Sequence, residues 1–334
     1  MGSSIFLGGE QVKLHNGMIA LAIATTICCT GGAAGQSYPT KPIRLLVPYA
    51  PGAATDFNAR VLAPKLGESL GQQVIVDNRP GATGIVATSV LANSTPDGHT
   101  IILTDSAHGA NPALYEKMPY DTLKDFAAIG MVTRIPMVLL VNPALPVKSV
   151  KELIALAKSR PGQLNYASAG TGSAMFLVAE LFKSATDIDA VQIAYKGGGP
   201  ALTELVGGQV PMLFISVLAG MPLANAGRVR ALGVSSLQRS PTYPEVPTIA
   251  ESGVPGFEFQ LWQAMLAPAR VTRSIITRLN GDLNAALDKA DVKERLSGVG
   301  NELISGTPER ATEFIRAEVE RWRKTIKPEM RIKM

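Results

Sequence analysis

The sequence PYAPGAATD, residues 48–56, directly follows the apolar run 43–47 and stands in front of a helix-like spacing of apolar residues. A second loop of similar composition, YASAGTGS at residues 166–173, again stands in front of a helical pattern. A small-residue turn between a buried strand and a helix leaves backbone N–H groups free beside the positive end of the helix dipole. Such a turn suits an anion. Two of these loops in two halves of one chain predict a negatively charged ligand held from both sides.

Strand-like apolar runs alternate with helix-like periods over most of the chain, which predicts an α/β fold with parallel sheets covered by helices. The strand-like runs are residues 43–47, 74–76, 101–103, 137–141, 191–194, 210–215 and 231–234. Capping boxes at residues 149–152 and 291–294 predict the start of two helices. Thr307 in front of Pro308 predicts the start of a third helix.

Two extended segments, residues 129–142 and 257–267, are longer than the other strand-like runs, and each predicts a change of sheet. A chain that crosses twice between two lobes places its ligand between them, at the ends of the strands. The domain boundaries expected on this basis are a signal peptide over 1–35, a first lobe over 36–135, a second lobe over 136–256, and a return to the first lobe over 257–334.

The composition is that of a globular protein without a nucleic-acid interface. The 334 residues are 46% hydrophobic, and 32 Lys and Arg against 27 Asp and Glu give a net charge of only +5. The basic residues are scattered along the chain instead of clustered, which excludes the basic stripe that binds nucleic acid.

The N-terminal segment is typical of export. Residues 18–29 form an apolar run of signal-peptide length, too short to span a membrane, and small residues at 32–35 suit a signal peptidase. We expect cleavage near Gly35 or Gln36; Met18 as the true initiator stays an alternative. Both cysteines, Cys28 and Cys29, lie inside this segment. The mature protein then has no disulfide and no thiolate chemistry.

The motifs that would indicate catalysis or a metal are missing from the sequence. Residues 104–108, TDSAH, contain Ser and His, but no GxSxG elbow and no HExxH, EF-hand or paired-carboxylate pattern occurs. Residues 196–200, KGGGP, are rich in glycine but are not a Walker loop, and residues 81–84, GATG, are a third candidate nest of N–H groups. The sequence therefore predicts a binding protein without metal or cofactor, not an enzyme.

Candidate ligand-binding residues come from the two loops, from residues 104–108, and from positions considered below. They are Tyr49, Ala50, Pro51, Gly52, Ala53, Ala54, Thr55, Asp56, Thr104, Ser106, His108, Ser168, Ala169, Gly170, Thr171, Gly172, Ser173, Phe176, Ile215, Ser216 and Trp262. Alternatives stay open: the glycine of the first loop also suits a plain tight turn, and the hydroxyls of the second suit ordinary helix caps.

Several stretches together resemble the Bug family, the periplasmic substrate-binding receptors of tripartite tricarboxylate transporters. They are YPTKPIR (38–44), the first loop through Asp56, NRPG (78–81), PDG (96–98), NPALY (111–115), YASAG (166–170), YKG (195–197), PTIAESG (247–253) and LAPA (266–269). The resemblance implies a two-lobed periplasmic-binding-protein type II fold with a hinge and an interlobe cleft. It further implies a monomer that holds a small carboxylate through the two loops and delivers it to large and small permease subunits. A sensor that presents the carboxylate to a membrane signalling protein is the alternative function.

This chain departs from the family pattern at three places. Ala53 replaces the second glycine of the first loop, Phe176 replaces a histidine after the second loop, and Ile215 replaces an aspartate after a later strand. If these side chains face the ligand, the ligand has one anchored carboxylate and a less polar remainder, such as an aromatic or aliphatic acid. The alternative, that they do not face the ligand, stays open. Trp262 is expected to report binding by its fluorescence.

Overall fold

The computed structural model describes Gly2, residues 38–298 and residues 300–332. Apart from Gly2, the proposed signal peptide lies outside the described residues, and so do both cysteines. From Lys41 onward the chain forms one unit. Within the described residues, every helix is too short or too polar to cross a lipid bilayer.

Strands and helices alternate as the sequence predicts. The described strands are β1 (Ile43–Val47), β2 (Val74–Asn78), β3 (Thr100–Asp105), β4 (Phe126–Val141), β5 (Leu164–Ser168), β6 (Ala190–Ala194), β7 (Met212–Ser216), β8 (Arg230–Val234), β9 (Gln260–Pro268) and β10 (Glu302–Leu303). The described α-helices are α1 (Ala54–Leu70), α2 (Ile85–Ala92), α3 (Ser106–Leu114), α4 (Val150–Ser159), α5 (Ala174–Thr186), α6 (Gly198–Val206), α7 (Val217–Asn225), α8 (Arg273–Asp288), α9 (Ala290–Ser297) and α10 (Pro308–Thr325). Single 3₁₀ turns occur at Ala82–Gly84 and Pro328–Met330.

The strands follow one curled path in the order β2-β1-β3-β9-β4-β7-β5-β6. In its first part, β1 runs parallel to β2 and β3, and β9 runs antiparallel to β3 and β4. In its second part, β5 runs parallel to β6 and β7. The short strands β8 and β10 each pair with β4, off this path.

Strand β4 connects the two parts by changing its partners. Up to Pro136 it pairs with β9, and from Met137 onward it pairs with β7 and β8. The sequence expectation of a sheet change within 129–142 is thereby confirmed. Strand β9 pairs only with β3 and β4 among the described strands, so it makes no second change itself. Just before it, the Phe259 N–H donates to the Ser235 carbonyl at the end of β8.

Two of the three predicted helix starts are confirmed. Ser149 accepts a hydrogen bond from the Glu152 N–H, and Thr307 accepts one from the Arg310 N–H in front of α10. The capping box at 291–294 is wrong. Helix α8 ends only two residues before α9 begins, so Asp291 already lies in the first turn of α9, where it pairs with Lys65 at 3.0 Å.

Helix α10 covers the core with its apolar face. Ala311, Ile315, Val319 and Trp322 on this face are buried, and the helix packs on α3 and β4.

Candidate functional site

A cavity of about 680 Å³ lies at the carboxyl ends of β1, β3, β5 and β6. It is lined by Tyr49, Ala50, Pro51, Ala53, Ala54, Thr55, Pro80, Gly81, Thr83, Asp105, Ala169, Gly170, Thr171, Ser173, Ala174, Lys196, Gly197, Gly198 and Leu261. The carboxyl ends of parallel strands are where open α/β sheets bind their ligands. Residues from both parts of the strand path meet in this one wall.

The first loop opens the amino end of α1 to the cavity. Ala53 stands at the N-cap position and supplies no side-chain cap. The Phe57 N–H donates to the Ala53 carbonyl, but the amides of Ala54 and Thr55 have no acceptor among the described residues. Since Ala54 and Thr55 line the cavity, these amides are positioned to serve a ligand.

Asp56 fastens this loop from behind. Its Oδ2 accepts from the Gly52 N–H at 2.9 Å, and its Oδ1 accepts from Asn78 Nδ2 at 2.9 Å. Arg60 Nε donates to the same carboxylate at 3.0 Å. Burial by itself raises the pKa of Asp56, but the hydrogen bonds from Arg60, Gly52 and Asn78 outweigh it and lower the pKa. Asp56 is therefore ionised, and its carboxylate stabilises the loop.

The second loop presents the amino end of α5. Ser173 caps the helix by accepting from the Phe176 N–H, and its hydroxyl donates to the Gly170 carbonyl at 2.7 Å. Ser168 holds the loop from below, since its oxygen accepts from the Gly170 N–H and from Gln192 Nε2 at 2.7 Å. The Ala174 amide is left without an acceptor in the described part of the chain.

A third helix begins at the same cavity. Gly197, with φ +139°, is the N-cap of α6, whose first residue, Gly198, lines the wall. The Tyr195 N–H donates to the Ser168 carbonyl at 2.9 Å, which fixes this segment beside the second loop. Lys196 is exposed, lines the cavity, and makes no ion pair within the described residues. Three helix amino ends and one ammonium group thus face a single space, an arrangement that attracts an anion.

A buried acid lies in the wall contributed by the first part of the strand path. Asp105 ends β3, is only 7% exposed, and accepts at Oδ1 from Tyr49 Oη at 2.9 Å and from the Ala107 N–H at 3.0 Å. Burial raises the pKa of Asp105 to about 6, although both hydrogen bonds favour the ionised form. Burial and the neighbouring carboxylate raise the pKa of Tyr49, which stays a neutral donor.

The edge of the cavity is closed by a contact between the turn at 81–84 and the second loop. Thr83 Oγ1 donates to the Thr171 carbonyl at 3.3 Å. Gly172, with φ +85°, leaves little room for a side chain, because a Cβ there would lie 3.1 Å from Thr83 Cγ2 and 3.3 Å from Leu114 Cδ1. Asn111 Nδ2 holds the turn through the Thr83 carbonyl at 3.1 Å.

The structure brings about half of the candidate residues into this wall. Those that line it are Tyr49, Ala50, Pro51, Ala53, Ala54, Thr55, Ala169, Gly170, Thr171 and Ser173. Those placed elsewhere are Gly52, Asp56, Thr104, Ser106, His108, Ser168, Gly172, Phe176, Ile215, Ser216 and Trp262. Gly52, Asp56, Ser168 and Gly172 stand behind the two loops and shape them.

His108 and Trp262 belong to the packed interior. His108 is 2% exposed and lies edge-on to Phe126, with ring centroids 5.3 Å apart, and burial lowers the pKa of its imidazole to about 4. Trp262 is 1% exposed, donates its indole N–H to Glu318, and donates its main-chain N–H to Ser106 Oγ. The hydroxyl of Ser106 is therefore used as a hydrogen-bond acceptor for β9. Thr104 is also buried, at 3% exposed.

Of the three positions where the chain departs from the family pattern, Ala53 lines the cavity, whereas Phe176 and Ile215 do not. Phe176 is 4% exposed and borders a different cavity, shared with Tyr166 and Glu180. Ile215 is 6% exposed, and Ser216 ends the same strand, β7, in front of α7. The apolar character of the wall comes instead from small residues of the two loops and from Leu261.

Several wall residues were absent from the candidates. They are Pro80, Gly81, Thr83, Asp105, Ala174, Lys196, Gly197, Gly198 and Leu261. The glycine-rich stretches 81–84 and 196–200 are visible in the sequence as candidate turns, whereas Leu261 reaches the wall through the long-range pairing of β9, where it lies opposite Ile135 of β4. No cluster of three His, Asp or Glu side chains suited to a metal occurs in the part of the chain that the structure describes.

The comparison with known proteins decides the family. The model of the tripartite tricarboxylate transporter family receptor matches residues 58–330. The chain belongs to this family. It is 38% identical to Protein BugT of Bordetella pertussis, over 90% of this chain and 94% of that protein. The Bug resemblance is thereby confirmed.

Solved structures agree on the fold. The R. palustris protein Rpa4515, solved with adipate, has a TM-score of 0.78 and 37% identity over 86% of this chain and 97% of its own. MatC from Rhodopseudomonas palustris, solved with bound malate, has a TM-score of 0.78 and 32% identity, covering 87% and 100%. The periplasmic binding protein BugD gives 0.78 and 32%, covering 89% and 100%. The two-lobed α/β fold of the periplasmic binding proteins is therefore confirmed.

Proposed function

We propose that the protein is a periplasmic solute receptor that holds a small organic carboxylate in the 680 Å³ cavity and delivers it to a tripartite tricarboxylate-type permease. The observation that carries this proposal is the convergence of the amino ends of α1, α5 and α6 on one space beside Lys196. Unpaired amides at helix amino ends favour a carboxylate.

The free energy available from the hydrogen bonds of this site is in the range expected for ligand binding by a receptor. A hydrogen bond to a charged group contributes about 1.5–3 kcal/mol. Four or five of them, less the cost of association, reach about −8 kcal/mol, the free energy of a micromolar complex. The amides of Ala54, Thr55 and Ala174 and the ammonium group of Lys196 supply that number of donors. Binding needs no buried arginine.

Relatives support the ligand class. Rpa4515 was solved with adipate and MatC with malate, and both are small carboxylates. The family model is that of a receptor. We therefore propose binding and release without catalysis, by a monomer, with a middle portion of the ligand that packs on apolar residues such as Pro51 and Leu261.

The lobe boundaries and the export signal complete the proposal. We place the first lobe at 36–135 and 257–334 and the second at 136–256; the exchange of partners by β4 between Pro136 and Met137 supports the first crossing. A cleavable signal over residues 1–35 and a periplasmic location are supported by the apolar run 18–29 and by the family.

Native mass spectrometry of freshly isolated protein tests the proposal, followed by titration calorimetry with a panel of mono- and dicarboxylates. We expect a co-purified small acid on a monomer. Ala54→Phe fills the wall and should abolish the heat of binding, while the matched control Ala155→Phe, on the exposed side of α4, should bind normally. A protein that binds no carboxylate of the panel, or binds equally well with Ala54→Phe, contradicts the proposed site.

Delivery to a permease needs a separate experiment. Uptake of the labelled ligand is compared in cells with and without the receptor gene, and in cells that lack the permease subunits but keep the receptor. We expect both losses to abolish uptake. Normal uptake without the receptor, combined with a transcriptional response that requires it, would favour the sensor function.

A further inference from the structure

One acid in the cavity wall is not explained by the binding of a carboxylate. Asp105 is more than nine-tenths buried, and both hydrogen bonds that it receives, from Tyr49 Oη and from the Ala107 N–H, reach the same oxygen, Oδ1. Its other oxygen, Oδ2, accepts no hydrogen bond from any described residue. Since Asp105 lines the cavity, Oδ2 is open to a hydrogen-bond donor of a ligand or of water.

Among the described residues no cation compensates this acid, which caps the amino end of α3. Asp105 makes no ion pair within the described residues, and the ammonium group in the wall, that of Lys196, comes from the second part of the strand path. The second part thus contributes the amino ends of α5 and α6 and the ammonium group, whereas the first part contributes the amino end of α1 and the open acceptor of Asp105. A second carboxylate at the acceptor side would be repelled by the ionised form of Asp105.

We propose that Asp105 determines the ligand class, because its Oδ2 accepts a hydrogen bond from a hydroxyl or ammonium group carried by the far end of the bound acid. This inference rests on the proposed function and refines it. The ligand has an anchored carboxylate, an apolar middle and a terminal hydrogen-bond donor. A plain fatty acid leaves Oδ2 unpaired, and a dicarboxylate places two negative charges together, so both bind more weakly than a donor-bearing acid of equal length.

Titration calorimetry at neutral pH with four matched series tests this: unsubstituted monocarboxylates, ω-hydroxy acids, ω-amino acids and dicarboxylates, each from butanoate to hexanoate in length. We expect a donor-bearing acid to bind at least about tenfold tighter than the plain acid and the dicarboxylate of its own length. The hydroxyl and the ammonium arms distinguish the two donors, since only the ammonium forms an ion pair with Asp105.

Variants assign the preference to this residue. Asp105→Asn keeps the shape and removes the charge, so the ω-amino acid should weaken by about tenfold while the dicarboxylate strengthens. Tyr49→Phe removes only the bond to Oδ1 and, because the carboxyl then ionises less readily, should reduce the preference for the ω-amino acid. Asp282→Asn, at a buried acid of α8 that pairs with Arg278 outside the cavity wall, is the matched control and should leave all affinities unchanged.

The outcomes separate this inference from the proposed function. If dicarboxylates or plain acids bind the wild type tightest, or Asp105→Asn leaves the ranking as it was, the role of Asp105 is wrong and the receptor function stands. If no series binds at all, the receptor function falls, and the inference falls with it. If Asp105→Asn does not fold, the affinities of Tyr49→Phe and the ranking of the ligands for the wild type still test the role of Asp105.

Discussion

The charge of Asp105 is costly in the folded chain because the side chain is buried. Its pKa is about 6 in the folded protein, against 3.8 for the exposed side chain, so the folded state holds this proton more tightly. Between about pH 4 and pH 6 the unfolded chain ionises first, and stability falls as pH rises, by about 3 kcal/mol in all. Asp105→Asn removes this loss. We expect the variant to gain stability relative to the wild type from pH 4 to pH 7, measured by urea denaturation. A pH-independent difference between the two proteins would show that Asp105 titrates normally.

His108 has the opposite dependence. Burial lowers the pKa of the imidazole to about 4 from 6.5, so the unfolded chain binds the proton more tightly, and acidification from about pH 6.5 to pH 4 destabilises the fold. The size is again about 3 kcal/mol. His108→Phe, which keeps a ring against Phe126, should remove this acid sensitivity in urea titrations at several pH values. A variant that loses stability in acid as steeply as the wild type would contradict it.

Together, Asp105 and His108 influence how the stability of the wild type depends on pH. Asp105 ends β3, and His108 lies in the helix that follows, and their contributions to the pH dependence have opposite sign over nearly the same range. In the wild type we expect them to cancel largely between about pH 4 and pH 6, so that the slope appears only when one of them is replaced.

At the scale of elements, the contact between the turn at 81–84 and the second loop is the feature most open to test. A Cβ at Gly172 would lie 3.1 Å from Thr83 Cγ2, whereas at Gly227, which has a similar positive φ of +69°, it would meet nothing within 4 Å. Gly172→Ala and Gly227→Ala carry the same backbone penalty of about 1–2 kcal/mol. We expect only Gly172→Ala to weaken carboxylate binding in calorimetry as well. Equal affinities for both variants would show that this contact does not shape the site.

The sequence predicts the elements better than it predicts their partners. The mainly apolar runs 43–47 and 231–234 mark strands because a strand covered on both faces is rich in apolar residues. The capping box predicted at 291–294 is wrong because α9 already begins at Ala290, two residues after α8 ends. The local sequence does not show how closely the two helices follow each other. At the site, the sequence predicts the two loops because their small residues lie between a strand and a helix, a pattern visible in the local sequence. Leu261 joins these loops through its long-range pairing with Ile135 of β4, and Phe176 borders a neighbouring cavity.

At the scale of the whole molecule, one strand holds the two parts of the sheet path together. Strand β4 is the only described strand that pairs with members of both parts, because it exchanges β9 for β7 and β8 between Pro136 and Met137. The cavity wall takes Asp105 and the first loop from one part and the second loop and Lys196 from the other. A rotation about this exchange point changes the width of the cavity without unpairing either part.

This geometry predicts that ligand binding changes the distance between the outermost strands. Ile75 on β2 and Val191 on β6 are exposed, and the mature chain has no cysteine of its own if residues 1–35 are removed. Spin labels at Ile75→Cys and Val191→Cys should move closer by several Å when a tight-binding carboxylate is added, measured by pulsed dipolar spectroscopy. The matched pair Ile75→Cys and Val86→Cys lies within the first part and should keep its distance. An unchanged distance for the first pair at saturating ligand would mean that the cavity is preformed and that β4 is no hinge.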